Sequence, residues 1–154
     1  MSTDHPNEMS QDERDAFLGA GGTGVLSLSV ASDDPPHSVP VSYGYDSSSE
    51  AFYFRLAVSD DSGKGELADR PATFVTYGRP DDDRWQSVVA SGRLEATTEA
   101  SIAIESLEGL RRVDLQYVDI FGQPLGTVEF EFYRLAPERV GTRRESHTGV
   151  YGSS

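Results

Sequence analysis

Two runs decide the fold: Ser38-Val39-Pro40-Val41-Ser42-Tyr43-Gly44-Tyr45 and Ala51-Phe52-Tyr53-Phe54-Arg55-Leu56-Ala57-Val58, joined through Ser47-Ser48-Ser49. In the first, Val39, Val41, Tyr43 and Tyr45 share one face, while Ser38, Pro40, Ser42 and Gly44 share the other. That period of two belongs to a half-buried strand. The second run is a strand rich in aromatic residues, and a short polar turn between two such runs predicts an antiparallel pair. A proline inside the first run points to an edge position. The small residues of its outer face leave room for something flat to lie against it.

The same reading extends in both directions. Ser10-Gln11-Asp12-Glu13 is a capping box that starts a short helix to about Leu18, stopped by Gly19, Gly21 and Gly22. Val25 to Val30 alternates as a strand, and Asp33-Asp34-Pro35-Pro36 turns the chain into the run at Ser38. Beyond Val58, Ser59 to Gly65 is a polar loop, and Glu66 to Arg70 is read as one helical turn ended by Pro71. Thr73–Tyr77 and Trp85–Leu94 are two further strands, joined through Pro80-Asp81-Asp82-Asp83. Thr98 is read as the cap of a helix to about Arg112, with Ala103, Leu107 and Leu110 on its apolar side. Thr127 to Leu135 closes the set, alternating through Val128, Phe130 and Phe132. The expectation is a mainly β fold: six antiparallel strands in a small barrel with two or three short helices, spanning residues 10–140. Residues 1–9 and 141–154 are expected to be tails.

Charge narrows the function. The chain has 154 residues, 26 acidic against 13 basic, for a net charge of −13; Lys64 is its single lysine and it has no cysteine. A disulfide scaffold, a zinc ribbon and a thiolate nucleophile are therefore excluded. Phosphate-backbone and anionic-membrane binding rest on Lys and Arg, so a nucleic-acid or membrane partner is not expected. Met1–Ser10 lacks the pattern of a signal peptide and no run approaches the ~20 apolar residues of a membrane span, which points to the cytoplasm. Acid excess with almost no lysine destabilises a compact chain at ordinary salt and is screened in molar salt. It reads as adaptation to the cytosol of an extreme halophile.

Several local patterns carry less than they suggest. Gly19-Ala20-Gly21-Gly22-Thr23-Gly24 spells G-x-G-x-x-G, but it follows a helix and precedes a strand, the reverse of a dinucleotide fold. Val58 and Gly65 stand where a P-loop needs Gly and Ser or Thr. His5, His37 and His147 have no metal-ligand spacing, Asp81-Asp82-Asp83 lacks the Gly and spaced Glu of a calcium loop, and no metal is expected. No catalytic triad or acid–base pair can be assembled. The loop Ser59-Asp60-Asp61-Ser62-Gly63-Lys64 combines a cation with hydroxyl and backbone donors, which suits a phosphate. Asp60 and Asp61 partly cancel that attraction, so the residues alone favour a solvated surface turn over a phosphate site. Trp85 and Ser87 share one face, placed either for packing at the barrel rim or beside a ligand.

In order along the chain, Gly24–Leu28, Ser38–Asp46, Phe52-Tyr53-Phe54-Arg55 leading through Ser62-Gly63-Lys64 into Pro71–Val75, and Trp85–Leu94 resemble one family. It is the pyridoxamine 5'-phosphate oxidase-related, FMN-binding split-barrel family, in its nitroimidazole-resistance-like branch. The likeness runs from about Asp12 to Arg144. It implies a six-stranded antiparallel split β-barrel, a homodimer, and FMN held between the two copies. Lys64, Ser62 and Arg55 would then meet the FMN phosphate, and Pro40, Val41, Ser42, Tyr43, Trp85, Ser87 and Val88 would border the isoalloxazine. Arg139, Arg143 or Arg144 could reach the partner's flavin. The longer C-terminal substrate motif and richer basic set of true pyridoxamine oxidases are not recognisable, so vitamin B6 oxidation is not implied. The expected function is an FMN oxidoreductase that takes electrons from a small-molecule donor such as a reduced nicotinamide and passes them to a small acceptor. The alternatives are a flavin-binding sensor or storage module, and a barrel that binds another small ligand or haem.

Overall fold

The computed structural model describes residues 7–30, 33–59, 67–80, 84–111 and 128–145. Helix α1 (Gln11–Leu18) leads into β1 (Gly21–Leu28), β2 (His37–Asp46), β3 (Ala51–Ser59), β4 (Pro71–Gly78) and β5 (Gln86–Thr97). A 3-10 turn (Glu99–Ser101), α2 (Ile104–Arg111), β6 (Val128–Leu135) and β7 (Arg139–Arg144) follow. The order β4-β1-β2-β3-β6-β5, closed by β4 against β5, is a six-stranded antiparallel barrel. The seventh strand is additional. The long β5 pairs through Gln86–Ser91 with β7 and through Leu94–Thr97 with β6, so two strands share one of its sides.

Burial follows the alternation. Val41, Tyr43 and Tyr45 of β2 face Phe52, Phe54 and Phe74 in the barrel interior, and the rings of Tyr43 and Phe74 meet edge to face at 5.0 Å. The Tyr43 hydroxyl donates to the Leu18 carbonyl at 3.0 Å, answering one of the unpaired acceptors that end α1. At the other end of α1, Ser10 Oγ accepts from Glu13 N at 3.1 Å while Ser10 N donates to Glu13 Oε1 at 2.9 Å, the predicted capping box. Pro40 pairs with Val25 of β1, but β2 meets β3 only over Gly44–Asp46. The first half of β2 is thus an edge toward β3, where a proline is tolerated.

Three expectations need correction. Thr98 makes no side-chain cap; the 3-10 turn ends at Ile102 and α2 begins afresh at Ile104. Ile102, Leu107 and Leu110 pack with Phe132 on Ala51 and Tyr53, whereas Ala103 is exposed. Residues 67–70 form a hydrogen-bonded turn, Arg70 N to Leu67 O at 3.1 Å, rather than a helix; Glu66 lies outside the described residues. The ends are not simple tails. β7 runs to Arg144, Met9 N donates to Thr142 Oγ1 at 3.0 Å, and Arg144 N donates to the Asn7 carbonyl at 2.7 Å. The alternation of β6 places Phe130 and Phe132 on the outside of the barrel, while Tyr133 and Leu135 face in. Alternation defines two faces but does not say which one is inside when a helix covers the outer one.

The glycine-rich run also finds its reason. A Cβ on Gly21 would stand 2.7 Å from the backbone of Gly109, and one on Gly109 would stand 2.1 Å from the Ala20 carbonyl. These glycines let α2 lie directly on the start of β1. Ser106 Oγ completes the seat by donating to the buried Tyr45 carbonyl at 2.8 Å.

Candidate functional site

The outer face of β2, β1, β4, β5 and β7 is a continuous surface whose register can be read across. Pro40, Val25, Val75, Val89 and Gly141 stand in one row over five strands. Val25 and Val89 are exposed, giving an apolar stripe. Beside it runs a polar row, Ser38, Ser27, Thr73, Ser91 and Arg139, in which Ser27 and Ser38 share a 2.7 Å hydrogen bond. On the other side Tyr77, Ser87 and Arg143 stand in line across β4, β5 and β7.

The predicted contact residues fall into two groups on this surface. Pro40 and Ser42 lie on the outer face of β2, where β2 and β3 part company after the Gly44–Tyr53 pair. Arg55 flanks the same parting on β3, its guanidinium carbon 3.7 Å from the centre of the Phe130 ring. Ser87 and Trp85 lie on β5 and just before it. With β1 and β4 intervening, the two groups are three strand spacings apart, ~14 Å. An isoalloxazine laid over Pro40 and Ser42 does not reach Trp85 of the same chain. Val41, Tyr43 and Val88 have buried side chains inside the barrel, so only their backbone is available to a ligand outside. Ser62 and Lys64 lie outside the described residues.

The surface also holds residues that sequence reasoning passed over. Tyr77 is 66% exposed and its ring centre is 6.1 Å from that of Trp85, itself 47% exposed. Arg79 lies with its guanidinium carbon 6.0 Å from the Trp85 ring centre. The alternation of Thr73, Val75 and Tyr77 would have shown that Tyr77 shares the outer face. Among the described residues, no cluster of three or more His, Asp or Glu side chains could hold a metal, and no helix is long and apolar enough to cross a membrane.

The family model for pyridoxamine 5'-phosphate oxidase matches residues 10–144. The chain belongs to that family. No curated protein matches it in sequence. Among solved structures, this family member is similar to the FAD binding protein of Mycobacterium smegmatis (16% identity, 89% of this chain and 98% of that one, TM-score 0.56). It is similar to an FAD-binding protein of Mesorhizobium loti (20% identity, 90% and 96%, TM-score 0.56). A 5-nitroimidazole antibiotic resistance candidate from Bacteroides thetaiotaomicron is a third (14% identity, 89% and 84%, TM-score 0.55). At these identities the structural likeness speaks for the split-barrel fold, which this oxidase-family chain shares with proteins named for binding flavin.

Proposed function

We propose that two copies of this chain hold FMN in the clefts between them. The flavin then carries electrons from a reduced nicotinamide or similar donor to a small acceptor. The observation that carries this reading is the division of the contact residues into two groups on one face. A twofold axis lying in that face sets Pro40, Ser42 and Arg55 of one copy opposite Ser87 and Trp85 of the other. The apolar stripe through Val25, Val75 and Val89 lies between the groups and is the surface such a pairing would bury. The residues present suit the group: Pro40 and Ser42 make a flat floor free of large side chains, and Arg55 stands at its edge.

Bound FMN would supply the redox chemistry. The chain's part is to seat it. Lys64, Ser62 and Arg55 hold the phosphate. Pro40 and Ser42, with the backbone of Val41 and Tyr43, support the ring, and Ser87, Trp85 and the Val88 backbone border it. The acid excess and single lysine belong to the same reading as its solvent, a cytosol at molar salt. The test is the absorption spectrum and molecular mass of the purified protein in molar salt, followed by anaerobic addition of NADH or NADPH. A yellow dimer that bleaches is expected. A yellow protein inert to every donor supports a flavin-binding module without turnover. A colourless protein that gains no yellow with added FMN overturns the flavin reading.

A further inference from the structure

Phe130 is a large aromatic side chain left on the outer face of β6, 38% exposed and outside the cluster in which α2 covers Phe132. The Arg55 guanidinium carbon lies 3.7 Å from its ring centre. That is well inside the ~6 Å within which an aromatic face attracts a cation. The register shows how the contact arises. Arg55 pairs with Phe132, and Ala57 pairs with Phe130. The guanidinium therefore reaches forward by two residues, past a position whose side chain is a single methyl. It reaches toward Ser59, where the chain enters the loop that carries Ser62 and Lys64.

The company Arg55 does not keep matters as much. With 26 acidic residues against 13 basic ones, a half-buried arginine of this chain should readily meet a carboxylate. Arg14, Arg134 and Arg144 each do so. Among the described residues no carboxylate pairs with Arg55. Glu131, next to Phe130 on β6, falls on the opposite face by alternation and accepts from the Tyr133 hydroxyl at 2.5 Å. A ring engages the flat face of a guanidinium and leaves its N–H donors, which lie in the plane, open to a ligand. Two such donors fit two oxygens of one phosphate.

We infer that Phe130 is a positioning residue of the flavin site. Its ring holds the Arg55 guanidinium by one face and fixes its donors for the FMN phosphate, so that Phe130 favours FMN over riboflavin without touching either. The inference rests on the flavin reading, which gives that phosphate to Arg55 together with Ser62 and Lys64. A ring that served packing alone would treat the two flavins alike.

Flavin affinity is measured by equilibrium dialysis of the full chain in molar NaCl, against FMN and against riboflavin, with bound flavin read from the visible band. Wild type should prefer FMN, and Arg55→Ala should lower that preference at least about tenfold, the effect of one charged hydrogen bond. Phe130→Leu, which keeps an apolar side chain, should lower it about two- to fivefold, the range for an exposed cation on a ring. Riboflavin should bind Phe130→Leu as it binds wild type. Phe130→Tyr should keep the wild-type preference, because it keeps a ring face. In the Arg55→Ala background Phe130→Leu should change nothing further, since no cation is left to hold. Melting curves check that each variant folds. Equal losses of FMN and riboflavin in Phe130→Leu would make the ring a packing element and overturn the proposal. So would a preference that Arg55→Ala abolishes and Phe130→Leu leaves intact, or one that Arg55→Ala does not move. All three outcomes leave the flavin reading standing. A protein that takes up neither flavin overturns that reading, and the role of Phe130 falls with it.

Discussion

Removing the Lys64 ammonium tests the phosphate assignment at its smallest scale. A hydrogen bond to a charged group contributes roughly 1.5–3 kcal/mol, so Lys64→Ala should weaken FMN by about ten- to a hundredfold in a fluorescence titration. Unchanged affinity takes Lys64 off the phosphate. Glu13 offers a second residue-level test. Its carboxylate accepts from the Ser10 amide and meets the Arg144 guanidinium, and the Ser10 bond foremost holds its pKa below the ordinary carboxylate value. A depressed folded-state pKa gives stability that is complete above the unfolded value and is lost as pH falls through the folded one. Wild type should therefore melt above Glu13→Gln at neutral pH, and the gap should close as pH drops through and below the carboxylate range. A gap independent of pH would mean that the charge on Glu13 contributes nothing. Sequence reached these two residues by different routes. The Ser10–Glu13 spacing is a local geometric rule and was legible, whereas the contact to Arg144 joins chain ends 131 positions apart and was not.

At the scale of elements, α2 shows which of two opposing effects wins. Replacing glycine by alanine inside a helix ordinarily stabilises by about 1 kcal/mol. At Gly109 the new Cβ would stand 2.1 Å from the Ala20 carbonyl, and backbone cannot swing away as a side chain can. Overpacking of this kind costs about 1–3 kcal/mol, so Gly109→Ala should lower the melting temperature despite its better helix propensity. A rise would show that α2 does not rest on β1. This seat also explains which elements could be read in advance. β2 and β3 alternate so regularly that their faces and their turn follow from spacing alone. β7 does not: Arg139-Val140-Gly141-Thr142-Arg143-Arg144 resembles a basic tail, and it becomes a strand only because Gln86–Ser91 has a side to spare. The helix after β5 was misjudged for a related reason. Leu107 and Leu110 of its apolar spacing do face the barrel, but the third place belongs to Ile102, left out of that pattern, while Ala103 stays in solvent. The candidate site was half legible for the same reason, since alternation marked Pro40 and Ser42 as outward-facing while the row of Tyr77, Ser87 and Arg143 rests on cross-strand partners that no local pattern supplies.

For the whole molecule the dominant long-range term is self-repulsion. A net charge of −13 acts on a chain small enough that most of its charges lie within a few Debye lengths of one another at ~0.1 M salt, where that length is about 10 Å; at ~1 M it is about 3 Å. Ion pairs do little to offset the excess, since exposed contacts such as Arg134–Glu95, at 2.9 Å, contribute at most about 1 kcal/mol. Compactness should then depend on the solvent's ions. The melting temperature is expected to climb steeply from low salt to molar NaCl, with the proposed dimer dissociating first, because pairing doubles the charge held in one particle. Salt also strengthens apolar burial, so the two causes must be separated. Screening depends on ionic strength, whereas apolar effects follow the identity of the ion. Chloride and sulfate salts at equal ionic strength should therefore act alike if repulsion governs. Neutralising the exposed Asp33, Asp34 and Glu108 to their amides should flatten the salt dependence without touching the core. A melting temperature that ignores salt, or a sulfate effect that far exceeds chloride at matched ionic strength, would remove repulsion as the cause and the saline cytosol with it.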